Sequence, residues 1–348
     1  MATTVVRILD SQNVSADLER ASAALERGEL VVLPTETVYG VAGRIDLPQT
    51  RLRLEALRGG NTAQPWTLHL AKPEQAWEIL PPSHAQGMAA RLIKKLWPGP
   101  VGLIFDVPPE RRAVVAAKYG VEEAVLFDNG TITLRCPLQP VFEDVVSKVN
   151  APIVVTRLGE VTNQIPADFA SQASDVDLVL DAGPTRYSKP STLLRVKDDG
   201  YEIVRAGIFD DRILQRQLRT TILFVCSGNT CRSPMADALA RKIISKSLGV
   251  SESQLEQQGY EVVSAGVYAM PGTRATPQAV EAVRSMDADL SRHRSQPLTR
   301  ELVNQADTIY GMGESHLNAI RSVTPSAASK LHLLDSSGDI EDPIGSDV

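Results

Sequence analysis

The chain has 348 residues, 43% hydrophobic and 22% charged, with a net charge of −6. That length reads as two domains at roughly 100–200 residues each, in an ordinary globular composition that can bury real cores. The acidic balance excludes a general pull toward nucleic acid, though not a local basic groove. Three cysteines, Cys136, Cys226 and Cys231, are too few for a disulfide framework and lack zinc-ligand spacing, so no metal is expected. The first residues hold no basic segment followed by an apolar run, so no signal peptide is expected. No stretch approaches 18 uninterrupted apolar residues, so no membrane span is expected. A cytoplasmic protein with no membrane partner fits this cysteine usage.

In chain order, Ser15 is the candidate N-cap of a first helix carrying Leu18, Ala21 and Leu25, which stops near Gly28. Leu30–Leu33 reads as a buried strand. Short β-rich runs follow at Thr131–Leu134, Ile153–Thr156, Leu178–Leu180 and Thr192–Val196, separated by Pro- and Gly-rich turns. A mixed α/β domain over residues 1–208 is expected, ending near Ile203–Ile208, then a charged connector at 209–219. From residue 220 to 348 strands and helices alternate. Strands are expected at Ile222–Val225, Glu261–Ser264, Thr308–Met312 and Lys330–Leu334. Helices are expected at Pro234–Leu248, with Ala236, Leu239, Ile243 and Ile244 inward, and at Thr276–Met286 and Glu314–Ile320. This alternation predicts a doubly wound parallel α/β sheet, whose ligands bind beyond the carboxyl ends of the strands.

The run from Cys226 to Pro234 lies between the first of these strands and its helix, and each residue has a physical use. Gly228 permits the tight backbone of an anion cradle. With Ser227, Thr230 and Cys231, it supplies successive N–H groups that can point at one phosphate. Ser233 suits an N-cap and Pro234 a first helical position, so the loop ends at a helix N-terminus, which favours negative charge. That field would favour the thiolate of Cys226, the reactive form. Arg232 can grip two phosphoryl oxygens in its fork, and the Ser233 hydroxyl can donate to the sulfur. Asp342, before Pro343, is a candidate acid for the leaving group. A lone Cys-x5-Arg arises by chance fairly often, and it is the strand–loop–helix setting that makes it specific.

Residues 221–348 resemble the low-molecular-weight protein-tyrosine-phosphatase family, on the Cys226–Pro234 loop, Ser264-Ala265-Gly266 and Asp342-Pro343. The resemblance implies a phosphocysteine intermediate on Cys226. It also implies Asp342 as acid and then base, Asn229 as a brace of the loop, and no cofactor. Thr230 and the stretch Ala275-Thr276-Pro277 resemble the bacterial protein-arginine-phosphatase branch, so phosphoarginine on a protein substrate is expected to be preferred to phosphotyrosine. The family continues into a long C-terminal helix; this sequence stops at Val348, so the helix is expected either to be missing or to be cut off by truncation of the sequence.

In the first half, Leu33–Gly40, Trp97–Pro100, Leu134–Pro137 and Pro190–Thr192 resemble in that order the YrdC-like threonylcarbamoyl-adenylate synthase family. The resemblance implies a twisted open α/β sheet around a cleft for ATP, threonine and bicarbonate. Thr35 and Thr37 would lie at the substrate pocket, and Arg135, Ser191 and Arg205 near the nucleotide. Two segments depart from the family. Its Lys-x-Arg pair reads Arg58-Gly59-Gly60, and its Thr-Ser-x-Asn segment reads Thr156-Arg157-Leu158-Gly159. Arg58 can stand in for the lysine only with different geometry, so synthase activity is expected to be weak, altered or gone.

The leading function is thus a protein phosphatase with a divergent YrdC-like module. The alternative is a threonylcarbamoyl-AMP synthase for tRNA modification with an accessory phosphatase domain. An arsenate reductase would need resolving cysteines, and none follows Cys231. RNA binding at the first domain stays open on family grounds, although the acidic balance argues against it.

Overall fold

The computed structural model describes residues 3–58, 66–157 and 176–342. The chain divides into two compact units, Met1–Leu214 and Gln215–Val348. The first contains a mixed sheet built from β1 (Thr4–Arg7), β2 (Val31–Leu33), β3 (Gly40–Arg44), β4 (Thr67–His69) and β5 (Val101–Asp106). It continues with β6 (Thr131–Arg135), β7 (Ile153–Thr156), β8 (Leu178–Asp181), β9 (Thr192–Val196) and β10 (Tyr201–Arg205). The order across the sheet is β1-β8-β2-β3-β7-β4-β6-β5-β9-β10. β2 is fully buried, as a continuous apolar run in mid-sheet must be. Helix Val14–Glu26 lays Leu18, Ala21 and Leu25 against Phe142 and Val145 of helix Pro140–Val146 and against Leu33, Leu178 and Leu180 of the sheet. Its N-cap is Asn13, whose side chain accepts from the Ala16 N–H, and not Ser15. Either residue can cap, but the helix already starts at Val14, which leaves Ser15 inside it.

The second unit has four parallel strands: β11 (Thr220–Cys226), β12 (Tyr260–Gly266), β13 (Thr308–Gly311) and β14 (Leu331–Leu333), ordered β12-β11-β13-β14. Side chains alternate along β11. Leu223 and Val225 enter one core with Val303, Leu317 and Ile320, from helices Arg300–Gln305 and Glu314–Val323. Phe224 and Cys226 enter the other with Ala236, Ala240 and Ile244, from helix Arg232–Leu248. Helices thus cover both faces, and the first strand lies inside the sheet. The loop after β11 therefore emerges at the switch point where such folds bind ligands. Ile243, expected inward, is 66% exposed. It falls between the sheet-facing stripe Ala236, Ala240, Ile244 and a second stripe, Met235, Ala238 and Leu239, that packs with Ala279 and Val283.

Two close approaches fix what surrounds the β11 loop. A Cβ on Gly266 would lie 2.7 Å from the Ser227 carbonyl oxygen and 2.8 Å from the Asn229 nitrogen. The chain then pairs with the loop, since Val267 N–H donates to the Cys226 carbonyl at 3.0 Å and Tyr268 N–H to that of Ser227 at 2.9 Å. On the other side, Asp339 Oδ1 accepts from the Glu314 N–H at 2.8 Å. That carboxylate fits only because residue 313 is glycine, where a Cβ would lie 2.7 Å from Asp339 Oδ2. The Ile340 N–H donates to the Met312 carbonyl at 2.8 Å, which carries the tail back across the sheet to residue 342.

Gly266→Ala is expected to destabilise the second unit by about 1–3 kcal/mol, because two of the atoms it meets are loop backbone and the third is the Ala269 Cβ, none of which can rotate aside. Gly228→Ala, whose Cβ would meet only the Thr230 hydroxyl at 3.5 Å, is expected to be much milder. Urea midpoints of the two variants check this; equal midpoints would show that the loop yields freely.

Candidate active site

Cys226 is the last residue of β11 and is 3% exposed. Its Sγ accepts from the Asn229 backbone N–H at 3.2 Å and faces the Ser233 hydroxyl at 3.0 Å. The Ser233 hydroxyl has a single proton and a longer alternative acceptor, the Ala265 carbonyl at 3.3 Å. Its oxygen is held in place by the Asn229 side-chain amide at 3.0 Å. Two hydrogen bonds thus converge on the buried sulfur.

The loop's conformation differs from expectation in two places. The residue in the left-handed region is Asn229, with φ +54°, and not Gly228. Asparagine tolerates this region when its side chain is tied down locally. Here Oδ1 accepts from the Gln296 N–H at 2.9 Å while the amide holds Ser233. The helix N-cap is Cys231 and not Ser233, because the helix begins at Arg232. Pro234 is then its third residue, still within the first turn, where no intrahelical N–H bond is lost.

Arg232 is the first residue of the helix after the loop. Nη1 donates to the Ile340 carbonyl at 2.8 Å, and Nη2 pairs with the Asp342 carboxylate. Among the sequence-selected residues, Cys226, Asn229 and Ser233 thus form one hydrogen-bonded group and Arg232 with Asp342 another, the two meeting in the chain at Arg232-Ser233. Thr230 is half-buried, its carbonyl accepting from the Thr276 N–H at 2.9 Å. Its hydroxyl makes no hydrogen bond among the described residues. Burial pushes the Cys231 thiol above its ordinary value, against the opposing effect of a hydrogen bond with Thr276. Pro343, paired with Asp342 in the sequence motif, lies outside the described residues.

Three residues around the loop carried no sequence signal. His293 Nε2 lies 2.8 Å from the Asn229 carbonyl, and Gln296 spans from Asn229 to the Ser264 carbonyl. His316 Nε2 lies 3.0 Å from the Ser227 hydroxyl. Tyr268 and Met270, 82% and 77% exposed, follow the strand that braces the loop and stand beside its rim.

In the first unit, Thr35 and Thr37 form a buried pair, their hydroxyls 2.9 Å apart. Arg135 Nη2 donates to Thr37 Oγ1 at 2.8 Å and to the carboxylate of Glu36 at 2.9 Å. Glu36, which the sequence reading passed over, is thereby half of a buried ion pair and also accepts from the Leu138 N–H. The Arg135 Nε is buried without a partner among the described residues. His69 is pushed down to about 3, first by burial and then by Arg135, and is therefore neutral. Arg205 donates to the carbonyl and hydroxyl oxygens of Ser191. Its guanidinium is lowered by burial and then by Arg157 and Arg135. Arg58 stacks over the Trp66 ring at 4.3 Å. Gly60 and the Leu158-Gly159 departure lie outside the described residues. Among those described, no helix is long and apolar enough to cross a membrane.

Residues 23–207, more than half of the chain, match the Sua5–YciO–YrdC family model described as telomere recombination. Residues 221–347 match the low molecular weight phosphotyrosine protein phosphatase model. The second unit is similar to the protein-arginine-phosphatase of Bacillus subtilis, 40% identical over 132 residues, covering 36% of this chain and 81% of the relative. It is equally similar to the probable low molecular weight protein-tyrosine-phosphatase EpsP of Ralstonia solanacearum, 41% identical over 125 residues, covering 35% of this chain and 77% of that one. The first unit is similar to the threonylcarbamoyl-AMP synthase of Bacillus subtilis, 26% identical over 194 residues, 55% of this chain and about half (53%) of the relative. The chain accordingly belongs to two families at once, with a Sua5–YciO–YrdC domain followed by a cysteine-based hydrolase domain of the low-molecular-weight protein-tyrosine-phosphatase family.

Proposed function

We propose that the second unit hydrolyses phosphorylated protein side chains through a phosphocysteine intermediate on Cys226, with phosphoarginine preferred to phosphotyrosine. The observation that carries this is the convergence of two donors on Cys226 Sγ, on a loop whose Arg232 is already paired with a carboxylate. A phosphoryl group entering the loop offers Arg232 two oxygens in place of Asp342. The Cys226 sulfur attacks phosphorus, forming the P–S bond as the P–N bond of phosphoarginine breaks. Asp342, released from Arg232 and protonated from solvent, gives its proton to the departing nitrogen. It then takes a proton from water, whose oxygen attacks phosphorus. The P–S bond breaks, the electron pair returns to sulfur, and phosphate leaves. Ser233 steadies the sulfur in both steps, and the N–H groups of residues 227–231 hold the phosphoryl oxygens.

The substrate preference rests on Thr230. Its hydroxyl is unengaged among the described residues and lies on the loop two positions before Arg232. A phosphoguanidinium gains from a polar partner and loses if its N–H groups are buried unpaired, whereas a tyrosine ring gains from apolar walls. The arginine-phosphatase relative supports this substrate class, and EpsP keeps phosphotyrosine as its competitor.

For the first unit we propose a cleft that binds an anionic nucleotide such as ATP, or RNA phosphates, with little synthase activity. The positive field of Arg157 and Arg135 at the buried Arg205 supports anion binding. The same arginines are what favours the second reading, a threonylcarbamoyl-AMP synthase carrying an accessory phosphatase.

Kinetics on phosphoarginine and phosphotyrosine peptides, side by side, are expected to favour phosphoarginine. Thr230→Ile should move the kcat/KM ratio toward tyrosine by roughly tenfold to a hundredfold, the worth of one hydrogen bond to a group otherwise stranded. A wild type that prefers phosphotyrosine, with Thr230→Ile slowing both substrates equally, would reduce Thr230 to a loop brace. Given ATP, threonine and bicarbonate, the full chain is expected to form little or no threonylcarbamoyl-AMP. Rapid formation with matching pyrophosphate release would make the synthase its principal activity.

A further inference from the structure

We propose that His316 is a positioning residue of the phosphatase site, holding the Ser227 hydroxyl and with it the first peptide of the phosphate cradle. The proposal rests on the phosphatase reading of the Cys226–Ser233 loop. His316 is the third residue of helix Glu314–Val323 and is 6% exposed. It does not touch Cys226; its contact is the residue after it, where Nε2 lies 3.0 Å from Ser227 Oγ. The Ser227 carbonyl is held from the other direction by the Tyr268 N–H at 2.9 Å. In a planar trans peptide the next N–H, that of Gly228, points opposite to that carbonyl. Fixing Ser227 at its side chain and its carbonyl therefore aims a cradle donor.

The proposal carries a tautomer with it. Nδ1 is buried with no hydrogen bond among the described residues. The Gly313 carbonyl acts on the ring in the sense that favours a bound proton, and the proposal puts that proton on Nδ1. Nε2 is then the lone pair that accepts the Ser227 O–H. Around the ring stand Arg232 from the neighbouring helix and Asp339 and Asp342 from the tail. Cys226 lies beside Ser227 on the loop, and on the ring's own helix Glu314 is paired with Arg321. Burial outweighs the two carboxylates and keeps the imidazole below its ordinary value, hence a neutral acceptor at pH 7.

The test uses inorganic phosphate as the probe, with the full chain. Its inhibition constant is measured for the wild type, His316→Phe, Ser227→Ala, the double variant and His316→Gln. Each of the first two substitutions is expected to weaken phosphate binding roughly twofold to tenfold, the range of one neutral hydrogen bond. The double variant should be no worse than the worse single, and His316→Gln should recover part of the loss. Long-range proton–nitrogen correlations should show the His316 proton on Nδ1 in the wild type and a mixture in Ser227→Ala, a readout that stands even if His316→Phe fails to fold. Additive losses, or a Ser227→Ala variant with unchanged phosphate binding and an unchanged tautomer, would overturn the proposal. Tight phosphate binding without turnover of any phosphorylated substrate would instead sink the phosphatase reading.

Discussion

The second unit depends on one constraint: the chain after β11 must close around a point in space while keeping the sulfur of Cys226 at its base. Backbone N–H groups can converge on one spot only if the chain curls tightly, and a tight curl needs either an unusual dihedral or an absent side chain. The loop uses both. Asn229 takes the left-handed conformation, and its side chain is held at each end, by Ser233 and by the Gln296 backbone. Gly266 leaves room on β12 for the loop's backbone to lie against it. Ser233 then serves the loop twice, receiving the Asn229 amide and facing the sulfur. Cys226 and the residues that brace its loop are thus parts of one hydrogen-bonded unit.

The same economy extends to the acid proposed above. Asp342 follows the last strand by several residues, so nothing in the sheet places it. It is brought over the site by a short chain of contacts: Asp339 on the Glu314 N–H, Ile340 on Met312 and on Arg232, then Asp342 on Arg232 itself. Arg232 is both the expected clamp for the phosphoryl group and the partner that holds the acid before substrate arrives. An arginine fork can make this exchange because carboxylate and phosphoryl present it with the same pair of oxygens.

What was legible in the sequence was the chemistry written in consecutive residues. Cys226 to Pro234 could be read because strand, loop and helix follow one another, and Thr192–Val196 and Ile153–Thr156 because short β-rich runs between turns have few alternatives. Errors of one or two residues arose where two residues could serve one role: Asn13 against Ser15 as cap, Asn229 against Gly228 as the left-handed residue. Ile243 was misplaced because a helix with two packed stripes leaves a gap that periodicity alone cannot locate. The residues missed altogether act across long separations. His316 meets Ser227 over 89 residues, and Glu36 meets Arg135 over 99. No local pattern encodes such partners, and each is an ordinary helix or loop residue until the fold is known.

The central claim is that Cys226 carries the phosphoryl group. A denaturing quench early in turnover, followed by phosphorus NMR and peptide mass spectrometry, tests it directly. The account predicts a phosphorothiolate resonance and one added phosphate on the peptide that contains Cys226. Phosphate on any other residue, or a burst of product with an unmodified Cys226, would contradict it.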